Sequence, residues 1–328
     1  MRKLFVSEPG TIEMKEIELI SKPGEGEIKI KVLMGGICGS DMSVYKGKIP
    51  YAEYPLTPGH EVIGEVIEAG ANARFKVGDK VASYPNTYCG KCENCLRGMT
   101  NICVEKKSFG VTIDGLFAEE IIIDSEFAVG VPADIDEKKA VLMEPLSVCV
   151  HAIGKADLKN SQKIAVMGCG TEGMLCIAIL SYLGMDITAI DINEDKLAIA
   201  KEFDKGITTL VPGQADGRNF DVVIEAAGAK KAIEQAFEIV KPGGKMITLG
   251  LTNEDISYPC FKVVRSEITI QGSIIYTKDD FDKALEYLKD EDFNIKPIIS
   301  EVVPFEEFRT AYDHALSGKM VKVLMDFK

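Results

Sequence analysis

The sequence predicts an α/β chain of two domains, an antiparallel barrel-like strand region and a doubly wound parallel sheet. Three observations predict it. The first part of the chain is a run of short alternating strands punctuated by Gly and Pro. From about Ser161 to Gly272, apolar strands alternate with helical segments. And 328 residues suit about two domains, each able to bury its own core.

The elements follow in order. GEIKIKVLM (26–34) alternates apolar and charged residues, as a half-buried strand does. VIGEVIEAG (62–70) and GDKVASYP (78–85) read as further strands set off by Gly and Pro. QKIAVMG (162–168) is an apolar strand, and EGMLCIAILSYLG (172–184) a helix. DITAID (186–191) is a strand and EDKLAIAKEF (194–203) a helix. NFDVVIEAAG, KAIEQAFEIV and GKMITLG continue the alternation, which is the signature of a parallel sheet. After Gly272 the pattern is mixed, with a helix through FDKALEYLK and a closing strand MVKVLMDF.

Composition removes several classes. With 46% hydrophobic and 27% charged residues, the chain is globular rather than disordered. A formal net charge of -13 argues against nucleic acid, whose phosphates need a basic face. The opening MRKLFVSEPG has no apolar leader core, and apolar runs such as Leu175 to Leu180 are too short to span a bilayer. No membrane partner and a cytoplasmic location are therefore expected. Nine cysteines then read as metal ligands and reduced thiols rather than disulfides.

Four of them crowd together: Cys89, Cys92, Cys95 and Cys103, spaced Cys-x2-Cys-x2-Cys-x7-Cys. Such spacing lets four thiolates converge on one tetrahedral centre with no position open for chemistry, which favours a structural zinc. An iron–sulfur cluster is the alternative for four thiolates, and an accidental group of reduced thiols the bland one. Gly90 permits a tight turn, and Lys91 and Arg97 are expected to offset thiolate charge.

Gly168-Cys169-Gly170-Thr171-Glu172-Gly173 is a G-x-G-x-x-G motif lying between a strand and a helix. There the glycines let backbone approach a pyrophosphate, and the helix N-terminus faces it. Asp191 closes the next strand and suits a ribose hydroxyl pair. Ile192 and Asn193 follow it, with no Arg for a 2′-phosphate, so NAD is favoured over NADP. Lys196 is a further candidate at the ribose.

A second donor set is scattered: Cys38 in GGICGSD, His60 and Glu61 in PGHE, and Glu144 in MEPLSVCVH. A thiolate, an imidazole and a carboxylate can hold zinc while leaving room for water or substrate.

On these residues the chain resembles the zinc-containing medium-chain alcohol dehydrogenases, nearest the sorbitol (polyol) dehydrogenase branch. CGSD, GHE, the four-cysteine lobe, EPLSV, GCGTEG and KPGGKMITLG occur in that family's order. The resemblance implies a GroES-like catalytic domain from residues 1–148 and 274–328, and a Rossmann NAD-binding domain from 149–273. It implies one catalytic and one structural zinc per chain. Cys38 and His60 would ligate the catalytic ion, with Glu61 or Glu144 completing it directly or through water. Asp41 would brace His60, and Ser40 would hydrogen-bond the substrate hydroxyl and relay its proton. It also implies a homo-oligomer, dimer or tetramer.

The implied reaction moves a hydride between the secondary hydroxyl of a small polyol or diol and NAD. 2,3-Butanediol, threonine and polyol-phosphate dehydrogenases are alternatives, and a non-catalytic zinc- and nucleotide-binding protein a remote one. Tyr276 resembles a substrate-side tyrosine of polyol dehydrogenases, although Ile275 replaces that pattern's arginine. Ser43 and Tyr45 are further hydroxyls for the substrate or the proton relay, since the histidine many relatives carry there is absent. His151 reads as core and His314 as surface. Cys149, Cys169, Cys176 and Cys260 read as small buried hydrophobes.

Overall fold

The computed structural model describes residues 1–18 and 21–328. It divides into two compact units, 1–144 with 299–328, and 145–298.

The first unit is strand-rich. β1 (Arg2–Glu8) and β2 (Thr11–Glu16) form a separate antiparallel pair. β3 (Glu27–Gly36) is the long central strand, followed by α1 (Gly39–Tyr45), β4 (Glu61–Ala69), β5 (Lys80–Ser83), α2 (Glu93–Leu96), β6 (Glu120–Asp124), β7 (Ala128–Gly130) and the short α3 (Glu137–Ala140). α4 (Met143–Ala156) carries the chain out of this unit.

The second unit alternates as its sequence requires: β8 (Lys163–Met167), α5 (Thr171–Tyr182), β9 (Asp186–Ile190), α6 (Glu194–Ala200), β10 (Thr208–Leu210), β11 (Phe220–Glu225), α7 (Lys230–Ile239), β12 (Val240–Thr248), α8 (Cys260–Arg265), β13 (Thr269–Gly272) and α9 (Lys278–Lys289). The chain then returns with β14 (Ile299–Pro304), α10 (Phe308–Leu316) and β15 (Lys322–Asp326).

The seven-stranded sheet of the first unit runs β14-β15-β3-β4-β5-β7, with β6 also on β3. All pairs but β14 with β15 are antiparallel. One register matters most for the site. Gly36 at the end of β3 faces Glu61 at the start of β4, and Leu324 of β15 faces Gly36 from the other side. Three strand ends from remote parts of the chain therefore meet at one edge. Beneath them, Ile30, Val32, Val62, Phe117 and Met325 pack in one buried cluster, each large aliphatic or aromatic contributing roughly 1.5–3 kcal/mol.

The six-stranded sheet of the second unit is parallel throughout, in the order β10-β9-β8-β11-β12-β13. The strand order reverses between β8 and β11, the topological switch at which such sheets bind ligands. α5 is buried from Gly173 to Leu180, which explains why EGMLCIAILSYLG is apolar all round rather than on one stripe.

The unit boundaries differ from those expected. The first falls at 144/145 rather than 148/149, and the return at 298/299 rather than 273/274. Residues 274–298 pack with the parallel sheet's unit. Asp280 on α9 meets His151 of α4 at 2.7 Å, and Tyr287 and Phe293 form an aromatic cluster with Tyr182 at the end of α5. The amphipathic helix FDKALEYLK gave no sign of which core its apolar stripe would join.

Candidate metal centres and coenzyme site

Cys38 stands two residues past β3, and His60 stands one residue before β4. The Gly36–Glu61 pairing therefore sets them side by side. Donor atoms of Cys38, His60 and Glu61 all lie within 4.8 Å of one another. Glu144 is buried at the first turn of α4 and lies outside that group, near enough for its charge to act on Glu61.

Asp41 organises the centre from α1. It is fully buried; Oδ2 accepts the Cys38 N–H and Oδ1 the Gly59 N–H, each at 2.9 Å. His60 Nδ1 is buried without a hydrogen-bond partner and lies 3.6 Å from Asp41 Oδ1, an electrostatic contact beyond hydrogen-bond range. Burial opposes ionisation of Asp41, but His60 and the two backbone donors hold its carboxyl below the usual range. With Nδ1 turned to Asp41, Nε2 is the nitrogen left for a metal. A thiol, an imidazole and a carboxyl converging, the latter two buried, fit a zinc ion with an open position.

Lys322 was not singled out in the sequence. Its side chain is completely buried, with Nζ 2.6 Å from Glu61 Oε1, 2.5 Å from Oε2 and 3.1 Å from the Ile37 carbonyl. Such a cation against a buried carboxylate balances charge that burial otherwise penalises. Burial raises the Glu61 pKa, Lys322 opposes that, and Glu144 adds to it. Gly36 makes the arrangement possible, since a Cβ there would come within 2.2 Å of Glu61 Oε2. The available signal was a lysine inside the apolar run MVKVLMDF. Ser40 lies half-buried on the first turn of α1, two residues beyond Cys38. Ser43 gives its hydroxyl proton to the Gly39 carbonyl at 2.9 Å.

The four-cysteine lobe also converges: Cys89, Cys92, Cys95 and Cys103 offer sulfurs within 4.8 Å of one another. Backbone N–H groups already point at them, Cys89 N at Cys103 Sγ (3.3 Å) and Cys92 N at Cys89 Sγ (3.4 Å). Backbone donors from Cys95 and Val104 bring the Cys92 thiol down to about 6. Four sulfurs with N–H support fit a closed tetrahedral ion. Lys91 and Arg97 do not face the thiolates as expected. They are exposed and pair with Glu105 at 3.8 Å and Glu93 at 3.7 Å. Lys106, half-buried and bonded to the Asn101 carbonyl, is the cation near Cys103.

In the second unit Gly168 takes φ +92°, Gly170 caps α5, and a Cβ on Gly173 would come within 1.7 Å of the Gly168 carbonyl oxygen. The loop is thus shaped by close backbone approach, as a phosphate cradle requires. Asp191 ends beside it, Oδ2 accepting the Cys169 N–H at 2.5 Å and Oδ1 the Asn193 N–H at 2.8 Å. Lys196 is half-buried on α6, close enough for its charge to act on Cys169, whose thiol burial and Asp191 push up to about 12.

Other expectations divide. Tyr45 is half-buried on α1, its ring 5.9 Å from that of the fully buried Tyr312. Tyr276 is fully buried, with its ring 5.3 Å from Phe281. Cys149, Cys169 and Cys176 are buried, whereas Cys260 is exposed at the start of α8.

Comparison with known proteins agrees with this geometry. Residues 24–133 match the alcohol dehydrogenase GroES-like domain, and residues 173–290 match the zinc-binding dehydrogenase domain. A sorbitol dehydrogenase of Halalkalibacterium halodurans is 32% identical over 92% of each chain. D-xylulose reductase A of Aspergillus oryzae is 30% identical over 91% of this chain and 89% of its own. Among solved structures, galactitol-1-phosphate dehydrogenase from Escherichia coli superposes with a TM-score of 0.91 at 28% identity, covering 99% of this chain and 100% of its own. No helix among the described residues is long and apolar enough to cross a membrane. With its GroES-like and Rossmann-type units and its cysteine, histidine and carboxylate donors in place, the chain belongs to the zinc-containing medium-chain alcohol dehydrogenases, in their polyol dehydrogenase branch.

Proposed function

We propose that this oxidoreductase oxidises a secondary hydroxyl of a small polyol or diol with NAD, and reduces the corresponding ketone in reverse. The carrying observation is the convergence of Cys38, His60 and Glu61 donors within 4.8 Å. When bound, zinc supplies Lewis acidity at the substrate hydroxyl, and the nicotinamide supplies the hydride acceptor. Cys38 and His60 hold the ion, with Glu61 or Glu144 as the carboxylate. Asp41 keeps the His60 ring and the Cys38 backbone in place. Ser40 takes the substrate's hydroxyl proton and passes it outward, where Ser43, Tyr45, the coenzyme ribose or water receives it.

Two zinc ions per chain are proposed, one at this open centre and one in the Cys89 lobe. Asp191, with Lys196 nearby, selects NAD, because a carboxylate accepts from two ribose hydroxyls and repels a 2′-phosphate. Asp191→Ala with Ile192→Arg is expected to move preference toward NADP. Equal catalytic efficiency of the wild type with both coenzymes would contradict this. A homo-oligomer is supported by β13, an edge strand with all four residues exposed, flanked by exposed Phe261 and Val264. Nine cysteines, none of them in a disulfide, support a reducing compartment such as the cytoplasm.

A second substrate reading, a polyol phosphate, is supported by exposed Lys46 and Lys48 just after α1 and by the likeness to galactitol-1-phosphate dehydrogenase. A panel of polyols, their phosphates, diols, threonine and ethanol, followed by reduced-nicotinamide absorbance, tests both. A higher kcat/KM for ethanol than for every polyol and diol would end the main reading.

A further inference from the structure

Glu225 is the last residue of β11, the strand on the far side of the switch from β9. It closes the apolar run NFDVVIE and is completely buried. A buried carboxyl is costly unless its hydrogen bonds do something. Here Oε1 accepts two backbone N–H groups, from Ala227 and Gly228, both at 2.9 Å. Oε2 has no hydrogen-bond partner, so the group's whole hydrogen-bonding capacity is directed at the loop that follows it. Burial raises its pKa and the two N–H donors pull it down.

That loop is held on both flanks by backbone contact. A Cβ on Gly168 would lie 2.8 Å from the Ala227 nitrogen, so the loop abuts the first glycine of the phosphate cradle. On the other flank, a Cβ on Gly250 would lie 2.1 Å from the Gly228 nitrogen and 2.9 Å from Glu225 Oε2. The Glu225 carbonyl also accepts the Leu249 and Gly250 N–H groups, at 2.8 and 2.9 Å. One residue thus fixes the loops after β11 and β12 together, at the carboxyl end of the sheet. Asp191 at the end of β9 directs the adenosine half of a dinucleotide to the β9 side. The nicotinamide half is then left to the β11 and β12 loops, where Ala227 is exposed.

We propose that Glu225 is a positioning residue for the nicotinamide half of the coenzyme, folding the 226–228 loop into the shape that receives it. The inference rests on the coenzyme reading above, and the test separates the two. Calorimetric titration of the zinc-loaded protein compares NAD with AMP, which carries only the adenosine half. E225D, one methylene shorter, cannot reach both N–H groups, and it is expected to weaken NAD about tenfold while AMP stays within about twofold. E225Q, whose amide oxygen accepts from the same two donors, is expected to bind NAD within about threefold of wild type. Equal weakening of NAD and AMP by E225D would mark a merely structural residue and overturn the proposal. Unchanged NAD binding in E225D, or a tenfold NAD loss in E225Q, would overturn it as well. A wild type that binds neither NAD nor AMP would instead defeat the coenzyme reading.

Discussion

The two sulfur-containing centres of the first unit are built in opposite ways. The Cys89 lobe draws all four ligands from one stretch of 15 residues, Cys89 to Cys103, and three of its four cysteines are partly exposed. The Cys38 centre gathers donors from the ends of β3 and β4 and a charge partner, Lys322, that is 261 residues from Glu61. Its His60, Glu61, Asp41 and Lys322 are all buried. A local cluster needs only short loops and backbone N–H support. A dispersed cluster needs the whole sheet to be in register before its donors meet, and it can leave a ligand position open for substrate.

This difference is open to challenge by mutation. Cys38→Ser should abolish turnover, by about a thousandfold or more given several kcal/mol of Lewis-acid stabilisation, and should drop zinc from two to one per chain. Near-normal activity with full zinc would show that the dispersed donors are not the reacting centre. Lys322→Met leaves a buried carboxylate unpaired and should cost about 3 kcal/mol in denaturant unfolding. Adding Glu61→Gln to it should recover much of that loss, because the stranded charge is gone. A single variant as stable as wild type would show that the pair does not hold the strand ends together.

In the lobe, Cys92→Ser should also remove one zinc, but with a different signature. Stability should fall by about 2 kcal/mol while the kcat of the folded fraction is kept, since a closed structural ion contributes folding energy rather than chemistry. Loss of kcat in protein that is still fully folded would erase the distinction between the centres.

The smallest effect is expected outside both centres, at Asp280 in the second unit. Burial opposes its ionisation, but His151 at 2.7 Å and two Thr277 donors at 2.8 Å hold its carboxyl below the usual range. A depressed folded pKa contributes stability above the unfolded value, roughly 4, and that contribution is lost as pH falls through the folded pKa. Asp280→Asn should therefore cost about 1 kcal/mol at pH 7, and the gap to wild type should narrow below about pH 4. Thermal melts at pH 7 and pH 3 measure it, and a gap that does not change with pH would refute it.

The sequence by itself determined what is local. Cysteine spacing identified the lobe, and glycines between an apolar strand and an apolar helix identified the phosphate loop. Strand–helix alternation identified the parallel sheet. CGSD and GHE named donors at the dispersed centre through the resemblance they carry, since a lone histidine or glutamate in a loop is a weak signal by itself. Only the tertiary structure decided what depends on neighbours far along the chain. The Gly36–Glu61 register brought Cys38 to His60. The placement of β15 buried Lys322 against Glu61, and the docking of α9 on the parallel-sheet unit moved the boundary to Ile298. The burial of Tyr276 and the pairing of Lys91 with Glu105 were likewise decided only by packing. Exposure and charge pairing belong to the packed molecule, and hydrophobic periodicity records which face of an element is apolar, not what that face will meet.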